Sequence, residues 1–249
     1  MSVILKCESL TVGYQHKAIL KDVHFEIHSG EIVTVIGENG AGKSTLLKTI
    51  AGILPEISGK VYFEEAVFSQ LSLRERAKKM SVLLTDKIHS EYMTCHDVIC
   101  TGRYAYTNGL GMLSTEDKQA IEDAIEVMNL GNIKDRLFDK LSDGQKQRVM
   151  LARAICQNTK MIVLDEPTSF LDIGYKTEIM STLKKLAKSG VAVLMTMHDL
   201  DLAKSVSDRV ISLKNGRVDR IGSKEELFTE EYLCELFEVD RNRYREFYR

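Results

Sequence analysis

The sequence contains no run of apolar residues long enough to cross a membrane. Spanning the hydrocarbon core takes about 20 consecutive apolar residues in a helix. The most apolar run, Gly190–Met197, stops at Thr196 and is followed by His198. Residues 1–6 also lack the basic region and the small-residue cleavage site of a secretory signal. We therefore expect neither a membrane span nor a secretory signal, and any role at a membrane requires a partner protein.

Proline and cysteine are both scarce. Two prolines, Pro55 and Pro167, are present, and no low-complexity tract or linker is visible, which favours a compact chain. The five cysteines are odd in number and scattered along the sequence. That pattern is typical of reduced thiols in a cytoplasm and not of a disulfide framework.

An excess of charge of either sign is also missing. Lys and Arg number 34 against 36 Asp and Glu, which gives a formal net charge of −2, and 44% of the residues are hydrophobic. We therefore expect no nucleic-acid partner bound through a basic surface, and the composition excludes a disordered chain. The 249 residues suffice for one large core or a core with a subdomain.

The first thirty residues alternate between polar and apolar positions. Residues 3–5, 10–12 and 23–27 predict antiparallel strands, punctuated by Gly13 and by Ser29-Gly30. An N-terminal antiparallel sheet is the simplest arrangement that accommodates them.

Three later segments are continuously apolar and predict buried strands. They cover residues 31–36, 161–165 and 191–195, and they alternate with segments of helical character. Such alternation indicates an α/β fold with a largely parallel sheet covered by helices.

The region between the first and second of these strands has a different, helical character. Four apolar residues with helical spacing predict an amphipathic helix: Ile121, Ala124, Ile125 and Met128. Thr94 and Asp97 resemble a helix N-cap pair, and Asp143–Cys156 predicts another helix. We expect one domain, with a helical subdomain at about residues 86–157 inserted into a core formed by about residues 1–85 and 158–249.

A glycine-rich pattern follows the first buried strand. It reads Gly37, Glu38, Asn39, Gly40, Ala41, Gly42, Lys43 and Ser44, and Thr45 comes next. Glycines let successive backbone N–H groups converge on phosphate oxygens, and the helix N-terminus adds its dipole. Lys43 would reach the β- and γ-phosphates of a nucleotide, and the Ser44 hydroxyl would bind Mg²⁺. The pattern alone also fits a structural turn, but its place between a strand and a helix favours phosphate binding.

Two adjacent carboxylates, Asp165 and Glu166, end the second buried strand. Like charges repel and burial penalises them, so the pair suggests a function. Asp165 would hold Mg²⁺ through water, and Glu166 would polarise an attacking water as general base. The alternative is a solvated acidic turn before Pro167.

A third pattern, Leu141–Gln145, opens the predicted helix 143–156. Ser142 and Gly144 offer a hydroxyl and backbone N–H donors at a helix start, which suits an anion. Alone this is a common helix cap. Its order and spacing relative to the other two patterns make the combination specific.

The three patterns together resemble the nucleotide-binding subunits of ATP-binding cassette (ABC) transporters over about residues 14–218. Residues 37–45 are similar to Walker A, 161–166 to Walker B, and 141–145 to the signature motif. The resemblance implies a P-loop NTPase core with a mixed sheet, an N-terminal antiparallel β-subdomain and an inserted helical subdomain. It also implies an ATPase that uses ATP and Mg²⁺.

Other residues take roles through this resemblance alone. Tyr14 matches the aromatic residue that stacks on adenine, and His198 matches the switch histidine that contacts the γ-phosphate. Asp172, in a segment similar to the D-loop, would tie two subunits together. Ser142, Gly144 and Gln145 would bind the nucleotide held by a second copy of the chain, which implies a homodimer around two Mg-ATP.

The sequence departs from the family pattern at two places. Asp143 replaces the usual second glycine of the signature, and we expect its side chain to face outward with the N–H donors retained. Thr85 stands where the family has a glutamine that touches Mg²⁺ and senses the permease. Thr85 keeps an oxygen on a shorter side chain, and Asp86 would replace it if the register shifts by one residue.

Within the family, residues 10–14, 94–104 and 197–200 are similar to importer ATPases for iron-siderophore, haem or cobalamin uptake. The implied partners are integral membrane permease subunits and a substrate-binding protein, with the chain peripheral on the cytoplasmic face of the inner membrane. The absent glutamine at Thr85 favours an alternative, a soluble ABC-type ATPase such as one in iron–sulfur cluster assembly.

Overall fold

The computed structural model of the chain describes residues 2–15, 17–84, 90, 92–107, 111–169 and 171–247. Within them the strands are β1 (Val3–Tyr14), β2 (Lys17–His28), β3 (Ile32–Gly37), β4 (Ser58–Phe63), β5 (Ala66–Val67), β6 (Met80–Leu83), β7 (Met161–Asp165), β8 (Ala192–Thr196), β9 (Arg209–Lys214) and β10 (Arg217–Ser223). The helices are α1 (Lys43–Ile50), α2 (Leu73–Lys79), α3 (Cys95–Cys100), α4 (Thr115–Val127), α5 (Asp143–Cys156), α6 (Ile173–Lys188), α7 (Leu200–Val206), α8 (Lys224–Leu227), α9 (Glu230–Leu236) and α10 (Arg241–Phe247). None of these helices is both long and apolar enough to span a bilayer.

The central sheet has six strands in the order β10-β9-β3-β8-β7-β6. Its pairs are parallel except for β9 with β10. Every residue of β3, β7 and β8 is buried. Helices pack on one face of this sheet, and α1 together with the N-terminal sheet packs on the other, so the continuous apolar sequences are buried on both sides. The three predicted buried strands are confirmed, each within one residue of its predicted bounds, and the mixed α/β sheet is confirmed.

The N-terminal sheet is antiparallel, in the order β2-β1-β4-β5. The expectation of separate strands at 3–5 and 10–12 was wrong, because both belong to the single strand β1. Register shifts in its pairing, with Ser9 at a φ of 45°, absorb the irregularity without ending the strand. Gly13 does not interrupt β1 either. A Cβ there would lie 2.0 Å from the carbonyl oxygen of Lys17, so glycine permits the close approach of the two strands.

Helices α3, α4 and α5 carry the predicted helical region. The N-cap pair Thr94–Asp97 forms a capping box at α3, and α5 has the predicted bounds. The predicted apolar face is buried: Ile121, Ala124, Ile125 and Met128. One hydrophobic cluster joins this face to side chains of β7 and β8. The division of the chain at residues 86 and 157 stays a prediction.

Candidate functional site

The loop between β3 and α1 turns on glycines. Gly42 adopts a φ of 99° and caps α1, and a Cβ at this position would lie 2.7 Å from Cγ2 of Ile19. Gly40, at a φ of 83°, faces open space. Gly42 has no side chain, so the N-cap residue does not occupy the first backbone N–H groups of α1. The loop therefore presents a helix N-terminus suited to phosphate.

Lys43 is the first residue of α1 and is buried. Its Nζ donates hydrogen bonds to the carbonyl oxygens of Gly37, at 2.7 Å, and Glu38, at 2.9 Å. Burial lowers the pKa of Lys43, and the negative charges of Glu166 and Asp165 partly oppose this shift. The phosphate loop is thus folded around the ammonium group of Lys43.

Asp165 is buried at the end of β7 and accepts two hydroxyl donors. The Oγ of Ser44 lies 3.1 Å from its Oδ1, and Oγ1 of Thr196 lies 2.6 Å from the same atom. A carboxylate and a hydroxyl are the hard oxygen ligands that Mg²⁺ prefers. The pair formed by Ser44 and Asp165 therefore fits that ion.

Glu166 follows directly and has left-handed backbone geometry, with a φ of 50°. Its Oε1 lies 2.6 Å from Nε2 of His198, and its Oε2 accepts a hydrogen bond from Oγ of Ser169 at 2.9 Å. The backbone N–H of Glu166 donates to Oγ1 of Thr196 at 2.9 Å. Both oxygens of the carboxylate thus have a partner. Glu166, predicted as the general base from its place after the strand, is in contact with His198, whose role the family resemblance implied.

These groups surround one cleft of about 260 Å³. Its lining consists of Ile19, Asn39, Gly40, Gly42, Lys43, Ser44, Thr45, Glu166 and His198. All but Ile19 were predicted as site residues. Tyr14 is half-exposed next to this set, and its hydroxyl lies 3.5 Å from Oγ1 of Thr45. The remaining loop residues close the turn, with the N–H of Ala41 donating to the carbonyl of Glu38 at 3.2 Å.

The signature residues, Ser142, Gly144 and Gln145, lie at the start of α5. Ser142 is its N-cap, its Oγ accepts from the N–H of Gln145 at 3.3 Å, and its own N–H donates to the Gln145 side chain at 3.2 Å. A Cβ on Gly144 would lie 3.3 Å from Leu171. Asp143 is exposed in the first turn, where its negative charge complements the helix dipole. The outward orientation expected for Asp143 agrees with this exposure.

Asp172 caps α6 by accepting from the N–H of Tyr175 at 3.0 Å, and it is exposed. Neither Asp172 nor any of the three signature residues is among the described residues that line the cleft. The predicted site residues therefore fall into two groups within one chain, the cleft and the signature face. Thr85 and the alternative Asp86 lie outside the described residues.

Two residues of the site were missed by sequence reasoning. Ile19 lines the cleft from β2, and Thr196 joins Asp165 to Glu166 through its hydroxyl. The available signal for Thr196 was a hydroxyl residue at the end of an apolar strand, two positions before His198. This pattern predicts a role for Thr196 only once β8 is known to pair with β7.

A family model described as ABC transporter matches residues 20–169. An ABC transporter ATP-binding protein of Methanocaldococcus jannaschii is 39% identical, over 98% of this chain and 84% of its own length. The iron(3+)-hydroxamate import ATP-binding protein FhuC of Bacillus subtilis is 36% identical, over 95% of this chain and 88% of its own. The hemin import ATP-binding protein HmuV of Hahella chejuensis is 32% identical, over 93% of this chain and 91% of its own.

Solved structures agree with the sequence relatives. A dimeric ATP-binding cassette in a post-hydrolysis state, bound to ADP and phosphate, superimposes with a TM-score of 0.79 at 28% identity, covering 89% of this chain and 99% of that one. An inward-facing ABC transporter described as metal-chelate type gives a TM-score of 0.82 at 28% identity, covering 95% and 90%. The similarity thus extends over nearly the whole chain.

Proposed function

The chain belongs to the ATP-binding cassette (ABC) transporter family and is an ATPase of the kind found in import systems. We propose that its ATP hydrolysis drives a separate membrane permease. The permease rests on the relatives named as import ATP-binding proteins, and the structural observation behind the proposed assembly is the division of the site residues into two groups. The cleft has a phosphate loop and a carboxylate, while Ser142, Gly144 and Gln145 lie elsewhere on the same chain. A second copy is the natural source of the missing half.

The residues of the cleft divide the work of hydrolysis. Lys43 neutralises charge on the β- and γ-phosphates, while the N–H groups of the loop bind phosphate oxygens and Tyr14 stacks on the adenine. Glu166 accepts the proton of the attacking water, and His198, in contact with Glu166, orients the carboxylate and reaches the γ-phosphate. These steps need positioning and electrostatics more than covalent chemistry.

Mg²⁺ would be held by Ser44 and Asp165, with Thr85 as a further oxygen ligand. When bound, the ion neutralises the charge that develops on the phosphates. Asp165 suits this role because it is an almost fully buried carboxylate that already lies 3.1 Å from the Ser44 hydroxyl.

Two copies would pair head-to-tail and enclose two Mg-ATP between them. The signature face of one copy, with Ser142, Gly144 and Gln145, would close the cleft of the other, and Asp172 would connect the copies. The dimeric cassette with ADP and phosphate supports this arrangement by its similarity. The dimer would close on ATP binding and reopen after hydrolysis.

We place the dimer on permease subunits at the cytoplasmic face of the inner membrane, served by a substrate-binding protein. The named functions of the relatives, iron(3+)-hydroxamate and hemin import, support a cargo of the iron-siderophore, haem or cobalamin class. The helical region at about 86–157 would then form a subdomain of a core made of about 1–85 and 158–249.

A pull-down tests the permease directly. Tagged Glu166→Gln protein is incubated with Mg-ATP and detergent-solubilised host membranes, and captured proteins are identified by mass spectrometry. The matched control is the same variant carrying Lys43→Met, which should bind ATP more weakly and recover less of the membrane subunit. Nucleotide-dependent recovery of a polytopic membrane subunit is the expected result. Recovery of soluble iron–sulfur assembly factors alone would replace the importer with the soluble ATPase, which Thr85 favours.

A further inference from the structure

Thr196 is the last residue of β8 and is fully buried. Its strand lies next to β7, which ends at Asp165. The parallel register pairs Thr196 with Asp165, so the two side chains project from the same face of the sheet. Its Oγ1 lies 2.6 Å from Oδ1 of Asp165 and 2.9 Å from the backbone N of Glu166. One hydroxyl thus bridges both acidic residues.

The direction of these two hydrogen bonds follows from what each partner can do. The Glu166 N–H can only donate, so Oγ1 of Thr196 accepts that bond. The hydroxyl group then donates its hydrogen bond to Asp165, which is an acceptor when ionised. Because the O–H bond of Thr196 points at Asp165, a lone pair of Oγ1 is left to accept from the Glu166 amide.

The amide held in this way belongs to a residue with unusual backbone geometry. Glu166 has a φ of 50°, a region that non-glycine residues rarely adopt and that persists where the surroundings enforce it. The chain leaves β7 at this point, so the Glu166 N–H lies at the end of the ladder and is bound by a side chain of β8. The conformation of this turn decides where the Glu166 carboxylate points.

We propose that Thr196 is a positioning residue for ATP hydrolysis, which fixes the backbone of Glu166 so that its carboxylate meets His198 and the attacking water. The inference rests on the proposed role of Glu166 as general base. Thr196 does not line the cleft and contacts no residue of the phosphate loop in the described bonds. Asp165 keeps its hydrogen bond from Ser44 when Thr196 is lost, so the loss should lower the rate of hydrolysis while the phosphate loop still binds the nucleotide.

Substitutions of Thr196 separate the hydroxyl from the shape of the side chain. Thr196→Val keeps the shape and removes both hydrogen bonds, whereas Thr196→Ser keeps the hydroxyl. We expect Thr196→Val to lower kcat about 10- to 100-fold, as leaving the part-buried N–H of Glu166 without its acceptor would, with the Kd for mant-ATP within about threefold of wild type. Thr196→Ser should recover most of the rate. Thr34→Val is the matched control, because Thr34 is equally buried on the adjacent strand β3 and its hydroxyl pairs with Ser207.

A double variant tells positioning from general destabilisation. If Thr196 acts through Glu166, adding Thr196→Val to Glu166→Gln should change the residual rate less than twofold. A wild-type rate in Thr196→Val would overturn the inference, and so would parallel losses of kcat, affinity and Tm that Thr196→Ser does not restore. If Thr196→Val does not fold, the same comparison is made between Thr196→Ala and Thr196→Ser. Normal hydrolysis by Glu166→Gln itself would instead overturn the proposed function.

Discussion

Replacing Glu166 with glutamine is the sharpest test of the cleft. The amide has nearly the shape of the carboxylate and can still accept from Ser169, but it cannot take a proton from water. General base catalysis contributes about 10²- to 10⁴-fold, so kcat should fall by that factor. At 1.36 kcal/mol per tenfold, this corresponds to about 3–5 kcal/mol of lost transition-state stabilisation.

Binding of ATP should survive the same substitution. Lys43 bonds to Gly37 and Glu38, and neither of these contacts involves Glu166. Loss of a negative charge beside the triphosphate also removes a repulsion. Glu166→Gln should therefore accumulate as an ATP-bound dimer, which gel filtration with Mg-ATP detects.

The assay is steady-state phosphate release at saturating Mg-ATP. Glu225→Gln, an exposed glutamate of α8, is the matched control and should retain the wild-type rate. Hydrolysis by Glu166→Gln within tenfold of wild type, or full turnover by a monomer, would refute the reasoning.

Three further substitutions address other contacts. Lys43→Met removes the buried ammonium, so the Kd for mant-ATP should rise about 10- to 100-fold; an unchanged Kd in a fluorescence titration would contradict the role given to Lys43. Gly42→Ala forces a Cβ to within 2.7 Å of Ile19 at a φ of 99°, so calorimetry should record a lower Tm together with weaker ATP binding, and an unchanged Tm would show that the turn tolerates a side chain. Asp117→Ala leaves the buried Arg103 without its carboxylate partner at 2.8 Å, which should cost about 3 kcal/mol in urea unfolding; a cost near zero would rule out the ion pair as a support of α4. Burial raises the pKa of Asp117, but hydrogen bonds from its helix cap and from Arg103 outweigh this and lower the pKa overall. The stabilisation is therefore present above the ordinary carboxyl pKa and lost as the pH falls through the lowered one, so the variant and the wild type should converge in acid.

Local patterns predicted much of the core and one half of the site. The continuous apolar sequence of β7 permitted few alternatives, because a run of that kind followed by two carboxylates needs burial on both faces and a polar edge. The glycines and Lys43 defined the phosphate loop because each has a stereochemical reason to be there. The helix caps Thr94–Asp97 and Ser142–Gln145 were also visible, since a capping box involves neighbours only three residues apart.

Long irregular strands were harder to predict. The sequence around Ser9 and Gly13 resembles a pair of breaks, yet pairing with β2 on one side and β4 on the other keeps β1 continuous. Cross-strand hydrogen bonds outweigh local preference here, and the partners in β4 are distant in sequence.

By itself the sequence determined the family, the phosphate loop and the acidic pair, because each is a pattern of adjacent residues with its own chemistry. The tertiary structure alone decided how these parts meet. Ser44 and Asp165 are 121 positions apart in the sequence, and Thr196 and Asp165 are 31 apart, yet both pairs form hydrogen bonds. The sheet order β3-β8-β7 brings the ends of these strands together. Strand order and register depend on packing of the whole core, so no local pattern could predict that a threonine of β8 would hold the backbone of Glu166.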